Sequence, residues 1–136
     1  MIALDTNLLA RFLLKDDAAQ FRLARELLSR PDVYTAPPTV ILELVWVLES
    51  CDCTRADVLQ GLRALLGLPN FKPKSFEALC RAIKWYEAGM DFGDALHLAL
   101  SEGDEVFISF DKTFGKIAAR HGTSPAVQVP RTSARR

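Results

Sequence analysis

Four short apolar segments, separated by stretches with helical periodicity, constrain the fold of this chain more than any other feature. The segments begin at Ile2, Val33, Val106 and Ala126. Apolar residues recur at helical spacing between them, and Thr54 is typical of a helix cap. Short buried strands that alternate with helices are typical of a parallel sheet covered on both faces. We therefore predict an α/β fold.

Composition excludes several classes of protein. The 136 residues are enough for one domain, and 17 basic residues balance 17 acidic ones, which excludes a uniformly basic surface. The longest apolar stretch, residues 40–48, is far shorter than the ~20 residues of a membrane helix. The N-terminus does not resemble a signal peptide. Three cysteines without a CxxC motif predict reduced, buried or half-buried thiols in a cytoplasmic protein.

A few acidic residues lie where a solvent-facing charge is not expected. Asp5 and Asp111 each follow an apolar strand directly, and Glu43 lies inside an apolar helix. Asp94 is crowded by apolar neighbours, and Asp91 precedes it by three residues, on the same helix face. Each acid has a plain structural alternative. This is a helix cap for Asp5 and Asp111, a favourable interaction with the helix dipole for Asp91 and Asp94, and a salt bridge for Glu43.

The acids together favour a metal site over these separate structural roles. Ligands collect beyond the carboxyl ends of parallel strands, so the acids could converge there. Clustered carboxylates repel one another, and a hard divalent cation relieves the repulsion. His97 and His121 are isolated, and no Cys/His pair has zinc spacing, which favours Mg²⁺ or Mn²⁺. This pattern indicates hydrolysis of a phosphodiester by metal-activated water.

Four motifs carry a resemblance to a known family. They are Ala-Leu-Asp-Thr-Asn-Leu at residues 3–8, the lone Glu43, Asp-Phe-Gly-Asp-Ala-Leu at residues 91–96, and Ser-Phe-Asp-Lys at residues 109–112. In order and spacing the chain resembles PIN domains over essentially its whole length, and among them the VapC-type toxins of toxin–antitoxin modules.

The resemblance implies a metal-dependent endoribonuclease with a defined set of acids. The ligands of Mg²⁺ or Mn²⁺, direct or through water, would be Asp5, Glu43, Asp94 and Asp111. Asn7 and Ser109 would support the site by hydrogen bonding, and Asp91 belongs to the same motif. Many relatives carry a further acid where this chain has Thr113, which leaves the number of metal ions open.

The resemblance also implies an architecture and partners. The fold would be a single domain over residues 1–130, with a short parallel sheet of about four to five strands flanked by helices on both faces. Residues 131–136 would be a basic, flexible tail. The family forms homodimers and is inhibited by a VapB-type antitoxin.

The substrate would be RNA, whose identity the sequence leaves open. Arg11, Lys15 and Lys112 are candidates for phosphate contacts, together with the arginines of the tail. One alternative is a decayed PIN-like binding or scaffold module, which EDTA would not affect. Another is a phosphatase of the haloacid dehalogenase type, which needs a second Asp two residues after the first, where this chain has Asn7.

Overall fold

The computed structural model describes residues 1–131, which form seven helices and four short strands, as the predicted α/β class requires. The strands are β1 (Ile2–Ala3), β2 (Tyr34–Thr35), β3 (Phe107–Ile108) and β4 (Val127–Gln128). The helices are α1 (Thr6–Leu14), α2 (Ala18–Leu28), α3 (Pro38–Ser50), α4 (Arg55–Leu66), α5 (Phe76–Glu87), α6 (Phe92–Leu100) and α7 (Lys112–Arg120).

The chain divides into two compact units, Met1–Phe76 and Glu77–Arg136. In the first unit β1 lies parallel to β2, and the Leu4 N–H donates to the Thr35 carbonyl at 2.8 Å. Residues 70–74 occupy the other edge of β2, where the Lys72 N–H donates to the Tyr34 carbonyl at 2.8 Å. Proline is not typical of a central strand, so Pro69 and Pro73 give no sequence indication of this pairing.

The predicted size of the sheet is wrong. The strands form two separate two-stranded parallel sheets, β1 with β2 and β3 with β4. Each ladder is two residues long, and β2 already has partners along both edges. The strands are also less covered than predicted, since Ile2 is 45% and Ile108 61% exposed, whereas β2 is buried.

Helix boundaries follow local signals that the sequence carries. Asp17 caps α2 by accepting from the Gln20 N–H at 3.0 Å. Thr54 caps α4 as predicted and forms a capping box with Asp57, in which each side chain accepts from the other residue's backbone N–H. Gly89 follows α5 with φ at +113°, a backbone conformation that glycine adopts readily after a helix.

Aromatic contacts in the second unit hold the two turns that carry acidic residues. Phe92, the first residue of α6, packs edge-to-face on Tyr86 of α5 with ring centroids 5.6 Å apart. Phe114 in the first turn of α7 packs on Phe107 of β3 at 5.7 Å. Because all four rings are largely covered, these contacts position the starts of α6 and α7.

The remaining sequence predictions have mixed outcomes. No helix within residues 1–131 has the length and apolar character needed to cross a membrane. All three cysteines are free, but only Cys53 is half-buried, while Cys51 and Cys80 are exposed, contrary to prediction. A single domain over residues 1–130 stays a prediction. Of the predicted tail at 131–136, residues 132–136 lie outside the described residues.

Candidate active site

Asp5 lies at the N-cap position of α1, immediately after β1. Its backbone is extended, with φ −89° and ψ 160°, which is ordinary cap geometry. Its side chain nevertheless accepts no hydrogen bond from the first turn of α1, all of which the structure describes. The structural alternative of a side-chain cap therefore does not account for this carboxylate, which is exposed.

Glu43 is linked to the start of α1 by a side-chain hydrogen bond. The Thr6 Oγ1 hydroxyl, which is buried, donates to Glu43 Oε1 at 3.3 Å. This bond joins the Asp-Thr-Asn motif to α3 across 37 residues of sequence. Thr6 therefore positions Glu43, a role that the sequence analysis missed although Thr6 lies inside the motif that it singled out.

Glu43 does not lie in a buried environment, contrary to the prediction from its apolar neighbours. Glu43 is exposed, on an outward stripe of α3 that also carries Thr39 and Trp46, the latter 52% exposed. Their spacing of three or four residues puts them on one helix face, so α3 is not buried all round. No Lys or Arg of residues 1–131 forms a salt bridge with Glu43, so the structural alternative for this residue is also absent.

The predicted site residues on and near α1 differ in whether another side chain already binds them. Asn7 is exposed and, with Arg11, lines a groove of about 390 Å³ formed by α1, α2 and Arg30. The Arg11 guanidinium is held by Asp16 through bonds of 2.9 and 3.0 Å. Lys15, the left-handed C-cap of α1, is exposed and has its Nζ 5.4 Å from the Phe21 ring centroid. The RNA contacts of Arg11 and Lys15 and the supporting role of Asn7 stay predictions.

Asp91 and Asp94 share the first turn of α6. Asp91 caps the helix, because one of its carboxylate oxygens accepts from the Asp94 N–H at 3.1 Å. Asp94 is half-buried. Burial, followed by the charges of Asp91 and Asp111, raises the pKa of Asp94 above its ordinary value, and His97 opposes this shift. A carboxylate in this setting gains more than an exposed one from a nearby cation.

Asp111 follows β3 and caps α7, accepting from the Phe114 N–H at 3.0 Å through one carboxylate oxygen. The Ser109 hydroxyl oxygen accepts from the Asp111 N–H at 3.1 Å. Ser109 thus acts on the backbone of Asp111, which holds the turn between β3 and α7. Lys112, the first residue of α7, and Thr113 are both exposed.

The donor chemistry fits the predicted cation. Asp91, Asp94 and Asp111 offer only carboxylate oxygens, the ligands that Mg²⁺ and Mn²⁺ prefer. Over the described residues, neither unit groups three or more His, Cys, Asp or Glu side chains in a way that could hold a metal ion. The convergence of Asp5, Glu43, Asp94 and Asp111 on one ion stays a prediction.

A family model described as PIN domain matches residues 2–120 of the chain. No curated protein matches the sequence. This range contains the candidate acids, Asp5, Glu43, Asp91, Asp94 and Asp111, and the supporting residues Asn7 and Ser109.

Proposed function

The chain belongs to the PIN domain family, which has a nuclease-type fold, and on that premise we propose that it is a divalent-metal-dependent endoribonuclease. Its reaction is hydrolysis of an RNA phosphodiester by metal-activated water. The observation that carries the proposal is the placement of Asp91, Asp94 and Asp111 at the starts of two helices, within the range that the family model matches. The charges of Asp91 and Asp111 disfavour the ionised form of half-buried Asp94, and a bound cation would offset them.

The proposal gives a role to each of the five acids and to two hydroxyl side chains. Asp5, Glu43, Asp94 and Asp111 hold Mg²⁺ or Mn²⁺, directly or through water. Asp91 and Asp111 each use one oxygen as a helix cap, which orients the carboxylate. Thr6 positions Glu43 by hydrogen bonding, and Ser109 positions the backbone of Asp111.

The cation, when bound, supplies a Lewis acid that lowers the pKa of water and offsets charge on the phosphodiester. The carboxylates keep the negative charge that binds it. Water attacks phosphorus, the bond from phosphorus to the leaving ribose oxygen breaks, and that oxygen ends protonated. None of the motifs places a Lys, Cys or His as the general base. This favours activation of the water by the cation over activation by a side chain.

The finer classification rests on the VapC-like order of the four motifs. We propose that the chain is a cytoplasmic toxin of a VapBC-type module, that it forms a homodimer, and that a VapB-type antitoxin inhibits it. A short neighbouring reading frame whose product copurifies with the chain and abolishes cleavage would support this. Cleavage that the neighbouring product leaves unchanged would contradict the toxin assignment but not the nuclease.

The test of the nuclease is cleavage of structured RNA by protein purified without any partner. We expect cleavage with Mn²⁺ or Mg²⁺ and none in excess EDTA. Asp94→Asn, prepared by the same protocol, should lose at least about 100-fold in rate, because it removes one charge from the cation site. Asp104→Asn, an exposed acid in the turn after α6, is the matched control. Equal cleavage by Asp94→Asn and wild type, or cleavage that persists in EDTA, contradicts the proposal.

A further inference from the structure

A groove of about 640 Å³ lies in the second unit, between α7 and the segment around β4. It begins beside the candidate acid Asp111, because both sequence neighbours of Asp111, Phe110 and Lys112, line it. Its other wall includes Val129 and Arg131. The groove is therefore lined by the residues on either side of one of the four predicted metal ligands.

The floor of the groove is uncharged and closely packed. Gly115 and Ala119 lie one turn apart on the face of α7 that lines it, and Val127 and Val129 lie opposite. A Cβ on Gly115 would approach Val129 Cγ2 to 2.7 Å, so a larger residue here would force the Val129 side chain or the backbone to shift. Glycine at this position therefore lets α7 and the segment after β4 approach closely.

The charges on the rim have one sign. Lys112 and Lys116, four residues apart, lie on the same face of α7, and Arg131 lies across from them. Among the described residues that line the groove there is no Asp or Glu. In a chain whose 17 basic and 17 acidic residues cancel, this is a local cationic patch and complements a polyanion.

The aromatic ring of Phe110 lies at the end of the groove nearest Asp111. Phe110 is 83% exposed, the highest value among the large hydrophobic side chains of the described residues. It alternates with the inward-facing Phe107 and Ser109 along the chain after β3, so it projects to the opposite side. An exposed ring beside cations is the arrangement on which unpaired nucleic-acid bases stack.

We infer that this groove binds the single-stranded segment of RNA adjoining the scissile phosphate. A base stacks on the Phe110 ring, while Lys112, Lys116 and Arg131 contact the phosphates. The inference rests on the proposed function and adds a substrate requirement to it, since a base inside a duplex is already stacked on both sides and leaves no face for the ring.

Binding is measured in EDTA, so that it is read independently of cleavage. The probe is a short fluorescent RNA strand, alone or annealed to its complement, followed by anisotropy. Phe110→Ala should weaken single-strand binding about tenfold, Phe110→Trp should restore it, and duplex binding should stay unchanged. Because the ring is exposed, its removal costs little packing, and thermal melting checks that each variant is folded.

A second experiment tests the role of charge by changing Lys116 in the groove, with Lys84 on α5 as the matched control. Lys116→Gln should weaken both probes and reduce the slope of log affinity against log salt by about 0.7 for the single strand. Lys84→Gln, which removes the same charge from an exposed position on α5, should change neither. Single-strand affinity that survives both Phe110→Ala and Lys116→Gln overturns the inference.

Two further outcomes distinguish this inference from its rivals. Unchanged RNA affinity together with an altered sedimentation coefficient in Phe110→Ala would identify the groove as a contact between copies of the chain and overturn the RNA assignment. Groove-dependent binding in EDTA, with no cleavage in Mn²⁺, would support the groove and contradict the proposed nuclease.

Discussion

Asp5 and Asp111 occupy the same local position but use their carboxylates differently. Each follows a short parallel strand and lies at the N-cap of the next helix. Asp111 accepts from the Phe114 N–H at 3.0 Å, whereas the Asp5 side chain accepts nothing from the described first turn of α1. The same position in a strand–helix turn can therefore hold an acid that caps the helix or an acid whose side chain makes no cap bond.

Glu43 in the first unit and Asp94 in the second unit also differ in their surroundings. Glu43 is exposed and receives a hydrogen bond from the neutral Thr6 hydroxyl at 3.3 Å. Asp94 is half-buried and faces the charges of Asp91 and Asp111, which raise its pKa together with burial. In the first unit a neutral donor satisfies a carboxylate, while in the second unit carboxylates crowd one another. A cation would therefore relieve more unfavourable charge in the second unit.

The largest expected effects are on catalysis, and they test whether both units contribute to one reaction. Asp5→Asn should reduce Mn²⁺-dependent RNA cleavage by at least about 100-fold, because it removes a ligand charge. Thr6→Val, which keeps the shape but removes the hydroxyl that positions Glu43, should cost about 10-fold. Initial rates at saturating Mn²⁺ measure both. If Asp5→Asn cleaves like wild type, the Asp5 carboxylate, which makes no cap bond, has no part in the reaction.

The next effect is stabilisation by metal, which tests the crowding in the second unit. Mn²⁺ at about 100 times its Kd should stabilise the fold by about 2.7 kcal/mol, since it binds the folded chain only. Melting curves in EDTA, Mg²⁺ and Mn²⁺ measure this. Asp94→Asn should lose most of the stabilisation, while Asp104→Asn should keep it. Equal midpoints in all three conditions would contradict a cation site.

Helix capping gives a smaller effect that separates Asp111 from Asp5 directly. In EDTA, Asp111→Ala should lower the free energy of unfolding by about 1 kcal/mol, because the Phe114 N–H loses its partner. Asp5→Ala should change it by less than about 0.5 kcal/mol, because it breaks no cap bond. Urea denaturation measures both variants. An equal loss in the two would show that Asp5 caps α1 in solution.

Much of the fold and the identity of the acids could be predicted because both depend on local signals. The capping box at Thr54 and Asp57, the start of α3 at Pro38 and the extent of α7 follow from a few adjacent residues. The aspartates of the motifs lie at the starts of helices, where their sequence positions predicted them.

The errors concern properties that depend on distant partners. The pairing of residues 70–74 with β2 joins segments far apart in sequence, so no local pattern indicates it. The exposure of Glu43 depends on which face of an almost wholly apolar helix packs inward, and its sequence alone gives that helix no clear polar face. The hydrogen bond from Thr6 is invisible for the same reason.

The smallest effect is on pH dependence, where acids of the two units should act with opposite sign. Backbone and side-chain hydrogen bonds with Thr54 lower the pKa of Asp57 below its ordinary value. The stability that its charge contributes is therefore present above the ordinary aspartate range and is lost as pH falls through the lowered pKa. Asp57→Asn should remove this dependence and destabilise the chain at neutral pH.

Asp94 should show the reverse in the same EDTA buffers. Because burial and neighbouring acids raise its pKa, its neutral form favours folding, and stability falls as pH rises through the raised pKa. Asp94→Asn should therefore gain a few tenths of a kcal/mol at neutral pH, a small gain because solvent screens the half-buried carboxylate, and should flatten the curve above the ordinary aspartate range. Urea midpoints from acid to neutral pH measure both variants. A loss of stability in Asp94→Asn at neutral pH would mean that the crowded acid is already stabilised by a partner in the metal-free chain, and the contrast between the two units would fail.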